Sequence, residues 1–421
     1  MNQNIKNRAI ALNIPLMDFI LKRMKELENT TGVRRSILAV CPNSIAVLRA
    51  ALRSAKRNNA PVKFAATLNQ VDLDGGYTNM TPHEFVNTIR EEARRINLKS
   101  PVIVAVDHGG PWLKDTHRIE NWTYEQATSG IKASFEAAID AGYDLIHIDP
   151  TVDNTLKDGE TISIDLVAER TLDLIDHAET FRRKNGYDRI SYEVGTEEVH
   201  GGLADMTVFN RFLNLLKTGL EKRNLRDVWP CFVVGKVGTD LHTSLFDASV
   251  AIDLVLAAQP FGSFIKGHYS DNVDNPEDYP ASGMGAANVG PEFTEKEYEA
   301  LVELDNIEKH LFVKGEILKR TDIKSVLWNA VIRSDRWKKW LQAGESKTDF
   351  HANSPKRQEW LIKTGCRYIW EDNDVVACRS KLTENLKAKG IDTDFIVSSS
   401  IEHAMDRYFE KFNLKDLNDL L

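Results

Sequence analysis

Several ionisable side chains of this sequence lie where a short apolar segment ends. Asp107 and His108 close the apolar run Val102–Asp107 and are followed by Gly109 and Gly110. Glycines at such a point let the backbone approach a ligand closely, so the pattern predicts the mouth of a pocket. The alternative is that the Asp-His pair only caps the next element.

A carboxylate and three imidazoles are candidates for a metal site. Glu193 lies within an apolar run. Burying an unpaired carboxylate there costs roughly several kcal/mol, unless a metal or an arginine compensates its negative charge. We favour a metal. The four candidate ligands follow or end four different runs, and their types suit Zn²⁺, Mn²⁺ or another transition metal. They are His108, Glu193, His242 and His268.

Two more pairs could act beside them. His147 and Asp149 are two residues apart, so they share one face of a strand, which either points into the site or packs against helices. Glu197 and Glu198 follow Glu193 in a glycine-containing loop and are candidates for a second acid or base. The glycine-rich end at Gly290 is a weak phosphate prediction.

The elements that must position these residues are eight short apolar runs separated by helix patterns. Runs rich in Val and Ile, apolar on both faces, predict parallel strands covered on both sides. Helix starts are indicated at Ser44 and Thr81 by capping residues. The runs are Ile37–Cys41, Pro61–Leu68, Val102–Asp107, Leu145–Asp149, Ile190–Gly195, Val228–Gly235, Ser263–His268 and Ala287–Pro291.

Such alternation fits either a closed (β/α)8 TIM barrel or a doubly wound open sheet. Cys41-Pro42-Asn43-Ser44 follows the first run, where a dinucleotide fold would carry Gly-x-Gly-x-x-Gly. Polar residues also collect at the ends of several runs, so we predict the barrel. It should occupy residues 1–293 together with an N-terminal helix, and a helical, tryptophan-containing region, residues 294–421, should pack on it.

Composition excludes several classes of function. The net charge of −8 gives no attraction to nucleic acid or anionic lipid. No apolar run approaches the roughly 20 residues that cross a bilayer, and the first residues lack the pattern of a secretory signal. The four cysteines are best interpreted as free thiols, and we expect a cytoplasmic protein.

Several segments of the sequence are distinctive: Leu68-Asn69-Gln70-Val71, Gly75-Gly76-Tyr77-Thr78-Asn79-Met80-Thr81-Pro82, Asp107-His108-Gly109-Gly110-Pro111, Ile146-His147-Ile148-Asp149, Gly195-Thr196-Glu197, Trp337-Lys338-Lys339-Trp340 and Arg367-Tyr368-Ile369-Trp370. Through these segments the chain resembles the GatZ/KbaZ family, the so-called non-catalytic subunits of class II D-tagatose-1,6-bisphosphate aldolase.

The resemblance implies a barrel of class II aldolase type and a role in ketose metabolism. By motif, Asp107 inherits proton exchange with a C4 hydroxyl, and His108 inherits metal binding. His242 and His268 stand where two further metal histidines are expected. Glu193 resembles the Glu-x-Gly of catalytic aldolases, whereas the so-called non-catalytic subunits carry an apolar residue there. The expected substrate contacts are Asn69, Gln70, His147, Asp149, Lys236, Asp240 and Asn288.

The leading hypothesis is a metal-dependent enzyme, with Zn²⁺ or Mn²⁺, that epimerises or cleaves a ketose or ketose phosphate of the tagatose or fructose type. The competing hypothesis is a non-catalytic subunit that stabilises a class II aldolase, and a plain sugar-binding protein is a third. The sugar or sugar phosphate is the expected small-molecule partner. A catalytic aldolase subunit and a second copy of this chain are candidate protein partners.

Overall fold

Eight parallel strands close into a barrel in the computed structural model, which describes residues 3–157, 160–195, 203–240 and 242–421. Neighbours in the barrel are neighbours in sequence, and the last strand pairs with the first, so that Ala39 lies opposite Asn288. The predicted TIM barrel is confirmed, and the open-sheet alternative is excluded. The strands are β1 Ile37–Val40, β2 Val62–Thr67, β3 Val102–Gly109, β4 Leu145–Ile148, β5 Ser191–Gly195, β6 Phe232–Val234, β7 Phe264–Gly267 and β8 Ala286–Val289.

Helices surround the barrel and follow its strands. The predicted helix starts are present: the Ser44 hydroxyl accepts a hydrogen bond from the Val47 N–H (3.1 Å), and Thr81 and Glu84 form a reciprocal capping box. The helices up to β8 are α1 Gln3–Ala11, α2 Leu16–Thr31, α3 Ile45–Arg57, α4 Pro82–Arg95, α5 Asp115–Ile119, α6 Tyr124–Ala141, α7 Ile164–Lys184, α8 Met206–Lys222, α9 Ala248–Ala258 and α10 Asp278–Ser282.

The chain after β8 is helical and returns to the barrel. Its helices are α11 Pro291–Val313, α12 Ile323–Arg333, α13 Pro355–Gly365, α14 Asn373–Lys387 and α15 Thr393–Lys411. Arg53 and Arg57 of α3 pair with Glu402 of α15 at 2.6 and 2.7 Å. Helix α11 begins before residue 294, so the barrel passes into the following region within one helix.

The two glycines after His108 serve a close approach between neighbouring strands. A Cβ on Gly110 would lie 1.7 Å from the carbonyl oxygen of Asp149, and one on Gly109 would lie 2.7 Å from that of His147. The backbone that these glycines admit is therefore that of β4 and the residues after it, where the sequence had suggested a ligand.

Two simpler properties concern the chain as a whole. Within the described ranges, no helix combines the length and apolar character that a membrane span needs. All four cysteines are free thiols, and Cys231 and Cys366 are buried.

Candidate functional site

A cavity of about 770 Å³ opens at the carboxyl ends of the barrel strands. This volume lies within the usual range for small-molecule sites. One wall comes from strand ends and the loops after them, and the opposite wall comes from the chain after β8. Residues from both walls include Asp107, His108, His268, Asn288, Trp340 and Arg367.

Four buried side chains meet beside this cavity, and two of them, Asp107 and His268, line it. Asp107, His147, Glu193 and His268 each offer a ligand atom, and these atoms all lie within 4.8 Å of one another. The Nδ1 atom of His147 lies 3.2 Å from Asp107 Oδ1 and 3.4 Å from Glu193 Oε1. The Nε2 atom of His268 lies 3.7 and 3.6 Å from the same oxygens. His147 therefore points into the barrel, which resolves the two alternatives for its face.

Two lysines inside the barrel neutralise Glu193. Lys63 of β2 donates to Glu193 Oε2 at 2.7 Å, and Lys266 of β7 donates to Glu193 Oε1. Lys266 also reaches Asp107 Oδ1 at 3.2 Å. Both lysines are fully buried. The compensation that burial of Glu193 requires is thus supplied in part by ammonium groups, where the sequence suggested a metal or an arginine.

The lysines keep both carboxylates ionised. Burial alone would raise the pKa of Asp107, but Lys266 and His108 hold it well below its usual value. The pKa of Glu193 is likewise held well below its usual value, because Lys266 and Lys63 outweigh the effect of burial. Both groups therefore carry negative charge at neutral pH.

His108 lies next to this group and has a different partner. Its Nδ1 atom lies 2.7 Å from Asp149 Oδ2, and its backbone N–H donates to His147 Nδ1 at 3.1 Å. Burial lowers the pKa of His108, but Asp107 and Asp149 more than offset this and raise it above its usual value. His108 is not among the four side chains whose ligand atoms meet, whereas His147 is.

The donor set fits a divalent cation. Among the described residues, His268 Nε2 has no hydrogen-bond partner although it is buried. Burial and the charge of Lys266 lower the pKa of His268 to about 3, so its ring is neutral at pH 7. Two imidazoles and two carboxylates are ligands that Zn²⁺ and Mn²⁺ accept. Lys266 would share the carboxylate oxygens with such an ion.

The structure corrects the expected position of His242. Strand β6 ends at Val234, and the following chain leads His242 away to the C-terminal region, where its ring centroid lies 5.0 Å from that of Trp360. His242 lines the same cavity but is not among the four donors. The physical reason is that His242 lies eight residues beyond the end of β6, and the end of a strand does not fix the direction of a side chain that far along the following loop.

The residues expected to contact the substrate differ in whether their side chains are free to do so. Asn288 donates to Asp107 Oδ2 at 2.9 Å and lines the cavity. Asn69 and Gln70 also line it, but their amides hold the loop: Asn69 accepts from the Asp115 N–H, and Gln70 accepts from the Thr67 N–H, both at 2.8 Å.

Among the remaining residues expected to contact the substrate, some also form hydrogen bonds within the protein. Asp240 lines the cavity and accepts hydrogen bonds from the N–H groups of its own turn, including that of Thr243 at 3.0 Å. Asp149 is held by His108, and Lys236 does not belong to the lining of the cavity. Glu197 and Glu198, the expected second acid or base, lie outside the described residues.

The glycine-rich end of β8 has its backbone donors occupied by a carboxylate. Asp271 Oδ1 accepts hydrogen bonds from the N–H groups of Gly290 (2.8 Å) and Glu292 (2.9 Å). The N–H groups that the sequence offered for a phosphate are therefore already satisfied. Burial, together with the nearby Glu292 carboxylate, raises the pKa of Asp271 to about 7 in spite of these bonds.

This raised pKa predicts a pH-dependent effect on stability. Because the folded state holds this proton more tightly than the unfolded chain, the contribution of Asp271 is fully present below about pH 4 and is lost as the pH rises through 7. Asp271→Asn keeps the acceptor and removes the charge. We expect its free energy of unfolding, relative to the unchanged protein, to rise by about 1–4 kcal/mol between pH 5 and pH 8. Thermal melts at the two pH values measure this, and a constant difference would contradict it.

Sequence reasoning missed the two lysines and Arg367. A detectable signal existed for the lysines, because Lys63 and Lys266 each stand alone in an apolar run that predicts a strand covered on both sides. Such a lysine must point into the barrel and needs a carboxylate. Arg367 belongs to a segment that carries the family resemblance, but nothing local to it shows that it reaches the cavity, which it does from a short turn after α13.

Comparison with known proteins agrees with this fold and places the chain in a family. A probable tagatose 6-phosphate kinase from Sinorhizobium meliloti 1021 superposes with a TM-score of 0.73 at 21% identity, over 90% of this chain and 100% of that one. A fructose-bisphosphate aldolase from Campylobacter jejuni gives 0.51 at 12% identity, over 95% of each chain.

These two likenesses concern the fold. A family model described as D-tagatose-1,6-bisphosphate aldolase subunit GatZ/KbaZ-like matches residues 21–416, which is most of the chain. The resemblance stated from the sequence motifs is therefore confirmed, and the chain belongs to the GatZ/KbaZ-like family of D-tagatose-1,6-bisphosphate aldolase subunits.

Proposed function

We propose that this chain is an enzyme that converts a ketose or ketose phosphate, by 4-epimerisation or aldol cleavage, in the cavity at the carboxyl ends of its strands. One observation carries the proposal. The ionised Asp107 and the unpartnered Nε2 of His268 meet at the inner end of a cavity of sugar size, among the described residues. A protein that only binds a neutral sugar has no need of such a charged, buried group.

Membership in the family supports a carbohydrate function related to class II tagatose-bisphosphate aldolase. The barrel also brings its ionisable groups together at the face where barrel enzymes hold their active sites. The specific reaction and the catalytic status of the chain are our proposal.

A divalent metal would be held by His147, Glu193 and His268, next to Asp107, whose carboxylate is the proposed proton acceptor. When bound, it supplies a positive charge that polarises the ketose carbonyl and stabilises an enediolate. The chain's own residues then have distinct tasks of orientation and proton transfer.

Asp107 is the group proposed to exchange the proton. Its carboxylate accepts the proton of the C4 hydroxyl while the C3–C4 bond breaks. The electron pair of that bond forms a C2=C3 double bond while the carbonyl electrons of C2 move to its oxygen, which leaves an enediolate and an aldehyde. When C3 attacks the other face of the aldehyde, a new C3–C4 bond forms, Asp107 returns the proton to O4, and C4 is inverted.

Neighbouring residues would keep Asp107 in its reactive form. Lys266 and Asn288 bond to its two oxygens at 3.2 and 2.9 Å, so both fix the orientation of the carboxylate. His108 also lines the cavity, and its Nδ1 atom lies 2.7 Å from Asp149 Oδ2. One site of this kind supports aldol cleavage when the fragments leave and epimerisation when they recombine.

Elemental analysis and product detection test the proposal together. The purified chain, incubated with fructose, tagatose and their phosphates, should form an epimer or cleavage products and should contain metal. His268→Ala should lose the metal, whereas His242→Ala should keep it, because only His268 belongs to the donor set. Metal loss in His242→Ala alone would contradict the donor set, and absence of turnover with every ketose would contradict the enzyme.

A second candidate is a subunit that stabilises a catalytic aldolase, and the description of the family favours it. This candidate predicts no turnover by the purified chain but a higher melting temperature or longer activity of a partner aldolase in its presence. Mixing the two proteins and following aldolase activity over time distinguishes it from the enzyme.

A further inference from the structure

A tyrosine in the wall of the cavity has a backbone conformation that bulky residues rarely adopt. Tyr269 is the second residue after β7, and its φ is 53°. In this left-handed region the Cβ atom of an L-residue crowds the carbonyl oxygen that follows, so a large side chain is unfavourable there. Strained residues of this kind persist only where the surrounding structure enforces them, and they cluster at active sites.

Hydrogen bonds from three parts of the fold enforce this conformation. The carbonyl of the residue before Tyr269 accepts from the Thr239 hydroxyl at 2.8 Å, in the loop after β6. On the other side, the Ser270 N–H donates to the carbonyl oxygen of Asn288 in β8 at 3.0 Å. The Ser270 carbonyl accepts from the hydroxyl of Tyr408 in α15, also at 3.0 Å. The backbone on both sides of Tyr269 is therefore fixed, and the strain is not relaxed.

The fixed backbone presents the phenol of Tyr269 to the cavity. Tyr269 lines the cavity together with Asp107, whose carboxylate lies within its electrostatic reach. In the part of the chain that the structure describes, its hydroxyl has no hydrogen-bond partner. The hydroxyl of Tyr77, which lines the same cavity, instead donates to Asn43 at 2.8 Å. A phenol that keeps its proton is a hydrogen-bond donor, so Tyr269 has a donor available for a molecule in the cavity.

The proposed reaction has a use for a donor at this place. Negative charge develops on the C4 oxygen while Asp107 accepts its proton and the C3–C4 bond breaks. The same oxygen becomes negative again when C3 attacks the aldehyde. A fixed donor directed at that oxygen lowers both barriers. The amide of Asn288 is not free for this task, because it donates to Asp107 at 2.9 Å.

We propose that Tyr269 is a further catalytic residue, whose hydroxyl donates a hydrogen bond to the C4 oxygen of the open-chain ketose and then to the aldehyde oxygen derived from it. The aldehyde is thereby held in the cavity until C3 attacks its other face. Tyr269 keeps its own proton, since Asp107 accepts and returns the only proton transferred. The inference rests on the proposed function and deepens it, because an aldehyde held in this way favours 4-epimerisation over aldol cleavage.

Tyr269→Phe tests the inference, because it removes the hydroxyl and keeps the ring. The metal-loaded chain is incubated with fructose or tagatose, and the epimer and the free aldehyde are quantified by NMR. We expect kcat for the epimer to fall more than about 10-fold, since a donor to a developing negative charge is lost. The ratio of free aldehyde to epimer should rise about 3- to 10-fold, which is the effect of one lost hydrogen bond on retention of the fragment.

Tyr124→Phe is the matched control, because it also removes one hydroxyl from a tyrosine. Tyr124 lies at the start of α6 and outside the described residues that line the cavity. It should leave kcat and the product ratio unchanged. A smaller fall in kcat for folded Tyr269→Phe, or an unchanged product ratio, would overturn the inference. Should Tyr269→Phe not fold, Tyr269→Asn replaces it, because asparagine adopts positive φ at little cost; loss of kcat supports the inference, and its retention overturns it.

The products separate this inference from the proposed function. If the unchanged chain releases fragments without any epimer, the enzyme is supported and the role of Tyr269 is wrong. If it converts no ketose, the enzyme is contradicted, and calorimetric titration with fructose and tagatose tests the contact alone. Binding weakened about 3- to 10-fold in Tyr269→Phe then supports a hydrogen bond between the hydroxyl and the sugar, and equal binding overturns it.

Discussion

Replacing Asp107 by asparagine is expected to lower kcat about 10²- to 10⁴-fold, because the amide cannot accept the C4 hydroxyl proton. The side chain keeps its size, and its oxygen can still accept from Lys266, so the barrel should fold. The measurement is kcat on whichever ketose the unchanged chain converts, together with a thermal melt of the variant.

Asp165→Asn provides the matched control for this prediction. Asp165 is an exposed aspartate that pairs with Arg211 at 2.7 Å, away from the cavity. Its loss should change kcat less than about 2-fold, since exposed pairs contribute little. If Asp107→Asn retained more than a tenth of the original kcat while folded, proton exchange by Asp107 would have to be abandoned.

The second large effect concerns stability and centres on Lys63 and Glu193. Lys63→Met should lower the free energy of unfolding by about 3–5 kcal/mol, because it removes one of the two ammonium groups that compensate the buried Glu193. Glu193→Gln should cost a similar amount, since it leaves Lys63 without its carboxylate. The double variant should be less destabilised than the sum of the two by more than about 1 kcal/mol, which indicates direct coupling.

Urea unfolding of the four proteins measures this coupling. Arg211→Met serves as the control for loss of a cation from an exposed pair, and we expect a change below about 1 kcal/mol. Strict additivity of the two buried substitutions would mean that Lys63 and Glu193 do not stabilise one another, contrary to the 2.7 Å contact between them.

The barrel was predictable because its signal is repeated. Each strand is a short apolar run bounded by helix patterns, and all eight runs became strands in sequential order. Which face of each strand points into the barrel was harder to predict. His147 had two possible faces in the sequence, and only the closed barrel selects the inner one.

The candidate site was predicted best where residues belong to strands and worst where they belong to loops. Glu193 and His268 lie within or just after a strand and meet in the structure. His242 lies eight residues after the end of β6 and goes elsewhere. Lys63 and Lys266 could have been found by asking which cations in the apolar runs compensate the charge of a buried carboxylate. The position of Arg367 could not, because it depends on long-range packing.

The opposite wall of the cavity has an evolutionary consequence. The groups proposed to react belong to the barrel, while Trp340 and Arg367 come from a separate stretch of the chain. Mutations in that stretch can therefore alter which molecules are admitted without disturbing the reacting groups. Relatives with this architecture could therefore change their substrate range through substitutions in this wall, while the reacting groups of the barrel stay the same.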